Sequence, residues 1–446
     1  MTAGVRRSLW RARDFRRYAG ADAISKLGSE VSLVALPLTA AITLHASPFQ
    51  VGLLTAAEMA AFLLAGLPAG AWVDRMRRRP VLVAADVVRA VALLSVPAAA
   101  AAGMLGLPQM YAVALLTGLC TVFFDVAHQS YLPSIVGRED LARGHGTLAA
   151  NQSLAQLAGP GLGGWLVQAL TAPIAVVADA LSYAASGLLL LGVRADERRG
   201  AGARAGVEAG ARAGAAAVRV PDVGTGDAPD AVPERETSNG PRAAGLRSEI
   251  MEGLRFVAGQ PVLRRVAAVG ALTMLSFGLW SATVPLYLVR EVGTSPGAYG
   301  MLLSAGAVGG VAGAWLAPRV AARLGVGRAM YAAAWAATLC TAPLALTAAG
   351  WRLLILPVTL AASGVATTVF SVAQGAYRQS ICPPHLLGRL SATMRFLMWG
   401  WMPFGGLLAG TLGQLAGVRV AFWTACGAYT LAHLPILLAP RVRAVS

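Results

Sequence analysis

The chain has a single lysine, and it sits inside an apolar stretch, Lys26 of "GADAISKLGSEVSLVALPL". Asp22 lies four residues before it and Glu30 four after. Residues four apart share a helical face, so the three form one charged stripe. An ionisable group at bilayer depth costs on the order of several kcal/mol, so such groups face a cavity and carry a role. A carboxylate in low dielectric holds its proton and releases it when its side meets water, which is the chemistry of proton coupling. Asp125 and His128 form a second pair on one face, and Glu58 is another acid among apolar residues. Glu30 and Asp125 are the expected proton carriers, with Asp22, Lys26, His128 and Glu58 lining the same cavity. A second reading stays open, in which Lys26 permanently neutralises Asp22 or Glu30 and only fixes packing. Asp86 and Arg89, three apart, read as a structural pair, and Asp179 as a bond to a neighbouring helix.

The elements holding these residues follow from composition. The 446 residues are 56% hydrophobic and 13% charged, about half the charge of a soluble domain. Twelve apolar spans are expected, at 18–44, 51–73, 81–103, 108–131, 146–169, 173–193, 266–290, 298–322, 328–349, 352–376, 393–415 and 418–439. Most approach the roughly 20 residues a helix needs to cross a bilayer. Long runs without two-residue alternation point to helices rather than barrel strands. The fold class is therefore all-α integral membrane, and the lipid bilayer is the first partner.

Arginine placement sets orientation. The loops after odd-numbered spans hold few basic residues, while Arg6 to Arg17, Arg75 to Arg79, Arg138 and Arg143 crowd the N-terminus and the even-numbered loops. The positive-inside rule puts both termini in the cytoplasm of a multi-pass cell-membrane protein. The net charge of +16 sits in those loops, so no nucleic-acid partner is expected. The basic N-terminus lacks an apolar core and cleavage site, and no cleaved signal peptide is expected. Cys120, Cys340, Cys382 and Cys426 are too scattered for a metal site or disulfide framework, and no cofactor is expected.

Residues 194–244 are rich in Ala, Gly, Arg and Pro, with few large apolar residues, and read as a disordered cytoplasmic linker. Residues 245–265 have apolar positions at helical spacing and read as an interfacial amphipathic helix. The linker separates an N-terminal six-helix bundle, 1–193, from a C-terminal one, 266–446. The halves repeat each other: "FRRYA" with "LRRVA", Pro37-Leu38 with Pro285-Leu286, and Ser47-Pro48…Gly52 with Ser295-Pro296…Gly300 share one offset of 248 residues. "FFDVAHQSYLPSI" and "VFSVAQGAYRQSI" repeat at an offset of 246. Two six-helix repeats with a cytoplasmic joint are a transporter plan, with the substrate site between the halves near the midplane.

Two motifs carry a family resemblance. "GAWVDRMRRRP" resembles the loop signature of the major facilitator superfamily, matching at Gly70, Asp74, Arg75, Arg78 and Arg79, with Arg77 where a glycine is usual. The resemblance implies a cytoplasmic latch of Asp74 and its arginines, joined by Arg395, that breaks when the halves rock. A plain positive-inside loop accounts for the arginines alone. "NQSLAQLAGPGLGGWL" resembles the glycine–proline motif of exporters in this superfamily, at Gly159, Pro160, Gly163 and Gly164, with Ala155 replacing a common glycine. Generic small-residue packing is the competing account. Together with "FFDVAHQSYLPSIV" and "VADALSYAASGLLLL", these stretches look like the enterobactin-exporter-like and macrolide-efflux-like secretion branch. One feature common in proton-coupled antiporters is missing, since the fourth span has no central arginine.

The resemblance implies a monomeric twelve-helix secondary exporter of an amphipathic small molecule, a drug, siderophore or secondary metabolite. It would work by alternating access, in antiport with protons. An importer or lysophospholipid transporter of the same fold, or a non-transporting membrane sensor, are the rivals. An enzyme is not expected, for no HExxH or clustered His/Cys occurs, and ATP drive is not, for no phosphate-binding loop occurs.

Overall fold

Ser-Pro punctuates the chain twice, and each time it starts a helix. The computed structural model describes residues 9–66, 68–194, 246–382 and 387–438. The Ser47 hydroxyl accepts from the Gln50 N–H while the Gln50 side chain accepts from the Ser47 N–H, a capping box with Pro48 in the first turn. Ser295 caps the equivalent helix by accepting from the Ala298 N–H.

The N-terminal half comprises α1 (Arg13–Leu38), α2 (Pro48–Ala65), α3 (Pro68–Arg75), α4 (Arg78–Ala101), α5 (Leu107–Ile135), α6 (Leu141–Ala169) and α7 (Ala172–Leu191). The rest comprises α8 (Leu246–Gly259), α9 (Pro261–Leu286), α10 (Pro296–Leu324), α11 (Val326–Thr341), α12 (Ile355–Ile381), α13 (Leu387–Trp399), α14 (Met402–Leu415), α15 (Val418–Leu431) and the single turn α16 (Leu434–Leu437). No strand occurs among the described residues. Both α1 and α9 end in a π-helical turn, Thr39–Thr43 and Tyr287–Glu291, two residues after a helix proline. The turns keep the repeat offset of 248, as do the bounds of α1 and α9 and the starts of α2 and α10.

Nine helical runs among the described residues are long and apolar enough to cross a membrane. Three of the twelve expected spans are not among them, for physical reasons. Charges interrupt α1, and α6 is rich in Asn, Gln and Gly. The eleventh expected span is broken into α13 and α14 at Gly400-Trp401, just before Pro403. The second is likewise split between α2 and α3 around Gly66 and Pro68. The boundary expected between 265 and 266 falls instead at Gln260, because Pro261 begins α9. Val257 of α8 is buried in one cluster with Leu263 of α9 and Met394 of α13, so this helix packs on protein. The linker expected at 194–244 lies, apart from Arg194, outside the described residues.

Within the first half, α1 packs on α6 and α7, α4 on α5 and α7, and α2 on α5. In the second, α9 packs on α14 and α15, and α12 on α10 and α11. The two largest crossings between the halves are α6 on α10 and α2 on α14. Both crossings are glycine contacts. A Cβ on Gly164 would lie 2.2 Å from the Pro296 carbonyl oxygen, and one on Gly52 2.5 Å from that of Gly406. The Gly297 N–H also donates to Gln168 Oε1 at 3.0 Å. The Arg290 guanidinium donates to the Ala41 carbonyl across the halves at 2.6 Å. All of these contacts lie toward the end that carries the odd-numbered loops.

Candidate functional site

The charged stripe of α1 does not pair with itself. Each member reaches a different partner on a neighbouring helix. Lys26 Nζ lies 3.4 Å from Asp125 Oδ1 of α5, with both side chains a little over a quarter exposed. Asp22 is buried; it accepts from Asn151 Nδ2 at 2.9 Å and lies 3.5 Å from His128 Nε2. Glu30 accepts from Gln152 Nε2 at 3.3 Å. Helical spacing on α1 presents the three groups at successive turns, and α5 and α6 answer each level in turn.

The rings around His128 fix it. Tyr18 stacks on it at 4.4 Å, Phe124 flanks it at 5.4 Å, and the Tyr18 hydroxyl donates to the His128 carbonyl at 2.8 Å. Asp22, Lys26, Asp125, His128, His145 and Gln152 line one cavity of about 280 Å³. The elements that frame it join the even-loop side, opposite the glycine crossings. Asn151, Gln152 and His145 escaped sequence reasoning because uncharged or end-of-helix polar residues carry little signal.

Glu58 does not join this cavity. It lies on α2 in a separate, smaller space shared with Leu33 and Pro37 of α1, Trp280 and Ser281 of α9, and Tyr299 of α10. Asp86 and Arg89 form a buried ion pair. The Arg89 guanidinium lies 4.4 Å from the Phe124 ring centre and 4.0 Å from that of Tyr183, and 3.4 Å from Thr121 Oγ1. A cationic group thus reaches the fourth expected span from α4. Asp179 accepts from Ser182 on its own helix at 3.0 Å, beneath a tight approach of Gly28.

The glycine–proline motif of α6 has two faces. Gly159 and Gly163 turn to α1, where a Cβ on Gly159 would meet Glu30 Cβ at 2.3 Å. Pro160 and Gly164 turn to α10 at the crossing between halves. The motif therefore packs against Glu30 of α1 and against α10 of the other half at once.

At the end of α3, the Asp74 side chain lies outside what the structure describes. Arg75 and Arg395 are exposed. Arg79 donates to the carbonyls of Leu190 and Leu191, and Arg17 to that of Gly192, so two arginines converge on the C-terminus of α7. A Cβ on Gly70 would meet no described atom within 4 Å, so close packing among those residues does not explain that glycine.

Two pseudo-repeated helical halves joined by glycine crossings, around polar intramembrane groups, define a secondary-transporter fold. The chain belongs to the Major Facilitator Superfamily, whose family model matches residues 21–405. It is 28% identical over 426 residues to the multidrug efflux pump Tap of Mycolicibacterium fortuitum, covering 93% of each chain. To Tap of Mycobacterium tuberculosis (strain ATCC 25618 / H37Rv) it is 28% identical over 418 residues, covering 90% of this chain and 87% of the relative. Among solved structures it resembles a bacterial homologue of the iron transporter ferroportin in its inward-facing state, with a TM-score of 0.66 at 16% identity over 97% of this chain and 99% of that one. The nucleoside transporter NupG gives a TM-score of 0.66 at 12% identity over 95% and 98%. The protein is a multi-pass membrane transporter.

Proposed function

We propose that this protein exports an amphipathic small molecule from the cytoplasm by alternating access, driven by inward proton movement. The observation that carries the reading is the cavity of Asp22, Lys26, Asp125 and His128, with Glu30 one turn deeper, framed on the even-loop side while glycine crossings close the other. With the even loops and both termini in the cytoplasm, as arginine placement argues, this arrangement is a cytoplasm-facing state. The efflux-pump relatives support the direction of transport. Lys26 and the proton compete for Asp125 in this scheme: when the carboxylate takes a proton, the ion pair is released and Lys26 loses its partner on α5. The two six-helix halves rock about the crossings, and Gly70, Asp74, Arg75, Arg78, Arg79 and Arg395 latch the cytoplasmic side in the opposite state.

Everted membrane vesicles test it directly. Addition of an exported compound should move protons out of energised vesicles, and Glu30→Gln or Asp125→Asn should diminish that signal at equal expression. Undiminished proton movement in both variants sinks the coupling assignment. Accumulation that does not depend on this protein sinks export.

A further inference from the structure

The two halves divide the chemistry unequally. From Pro261 to the C-terminus the sequence carries one acid, Glu291. Asp22, Glu30, Glu58, Asp86, Asp125 and Asp179 all belong to the first half. Inside the second half lies a different kind of cavity, about 290 Å³, between α9, α10, α11, α12, α15 and the segment after α15. No Asp, Glu, Lys or Arg lines it. Its size is at the lower end of small-molecule sites, roughly 300 Å³ and upward.

The serine and threonine hydroxyls of the lining share one hydrogen-bonding direction, alongside the Trp280 N–H and the Tyr429 hydroxyl. Thr273, Thr341, Thr359, Ser363 and Thr367 each donate their hydroxyl proton to a carbonyl three or four residues back on their own helix. A hydroxyl already donating offers only lone pairs, so these groups receive hydrogen bonds from whatever enters. Phe277, Trp280 and Tyr429 supply flat apolar walls, with Trp280 edge-on to Tyr429 at 6.0 Å. His433 is 3% exposed, meets Phe370 edge-on at 5.3 Å, and its buried Nδ1 has no partner among the described residues. An unpartnered buried nitrogen beside a cavity is a vacancy for a ligand group.

We propose that this cavity is the organic-substrate site, apart from the charged stripe, and that it takes a neutral, flat aromatic molecule bearing hydrogen-bond donors. The inference deepens the export reading and rests on it. Trp280 also walls the compartment of Glu58. A molecule seated against one side of this indole therefore presses on a carboxylate compartment of the other half, giving the substrate a physical route to the coupling groups.

The test is binding to purified full-length protein in detergent, with no gradient. The probes are 7-hydroxy-4-methylcoumarin, at a mildly acidic pH where its phenol is neutral, and its 7-methoxy ether, which has the same rings and no donor. Equilibrium dialysis should show saturable binding of the phenol and roughly tenfold weaker binding of the ether. His433→Phe and Ser363→Leu should each weaken phenol binding at least about tenfold, with an unchanged melting temperature in at least one of them. Equal binding of the two probes, no binding at millimolar concentration, or loss caused by Lys26→Met but not by the cavity variants would overturn the proposal. Those results leave vesicle export standing, whereas phenol binding without vesicle transport would sink export and keep the site.

Discussion

Replacing Gly164 with alanine should unbalance the two ends of the transporter. The added Cβ would sit 2.2 Å from the Pro296 carbonyl oxygen and 3.0 Å from Gly300 Cα, both backbone atoms of the other half. Real contacts begin near 3.0 Å, so α6 and α10 must separate by about 0.8 Å at this crossing. Overpacking of this kind costs about 1–3 kcal/mol, and here the cost falls only on the state in which the crossing is closed. That shifts the population toward the outward-open state by about 5- to 150-fold. A single cysteine at Leu33, in the small cavity between halves, reports the shift once Cys120, Cys340, Cys382 and Cys426 are replaced by serine. A membrane-impermeant maleimide added outside whole cells should label it correspondingly faster in Gly164→Ala. Gly161→Ala is the control: it lies on the same helix, and its Cβ would meet Ser304 Oγ at an ordinary 3.5 Å. Equal labelling rates in the two variants would refute the reasoning.

Gly159→Ala should displace Glu30, whose Cβ lies where the new methyl goes, and lower proton movement per exported molecule in vesicles more than it lowers substrate binding. Arg89→Leu should strand buried Asp86 and cost about 3–5 kcal/mol, read as a fall in the detergent melting temperature. Adding Asp86→Asn should recover most of that loss. Arg290→Met removes a charged donor from the Ala41 carbonyl, a contact of about 1.5–3 kcal/mol, and should speed outside labelling at Leu33 as Gly164→Ala does.

The sequence made the repeat and the α1 stripe visible, because both are matters of spacing along one chain. Four-residue spacing put Asp22, Lys26 and Glu30 on one face, yet it invited the idea that Lys26 balances its own neighbours. Its nearest carboxylate is Asp125, ninety-nine residues on, and nothing local announces a partner on another helix. The same limit hid Asn151 and Gln152, which are ordinary amides until α6 is laid against α1. Glu58 reads in sequence like the stripe carboxylates, but its register on α2 turns it to a compartment shared with α9 and α10. Hydropathy alone does not mark α1 and α6 as membrane spans, since they trade apolar residues for the polar groups that line the cavity. The second-half cavity left almost no trace, because serine and threonine bonded to their own helix look like ordinary helix content.

The paired π-helical turns, Thr39–Thr43 and Tyr287–Glu291, bear on ancestry. Their wide closures match bond for bond: Leu44 to Thr39 and Val292 to Tyr287, then Ala46 to Ala40 and Thr294 to Leu288. A π turn is one residue of slack in a helix, and two independent insertions at equivalent sites are a poor explanation of this one. The irregularity was copied with the duplication, as were the Ser-Pro caps and the Gly52 and Gly300 contacts that follow them. The acids of the first half have no such counterparts. The hinge-end architecture is thus common to both halves, and the acids are what distinguish them.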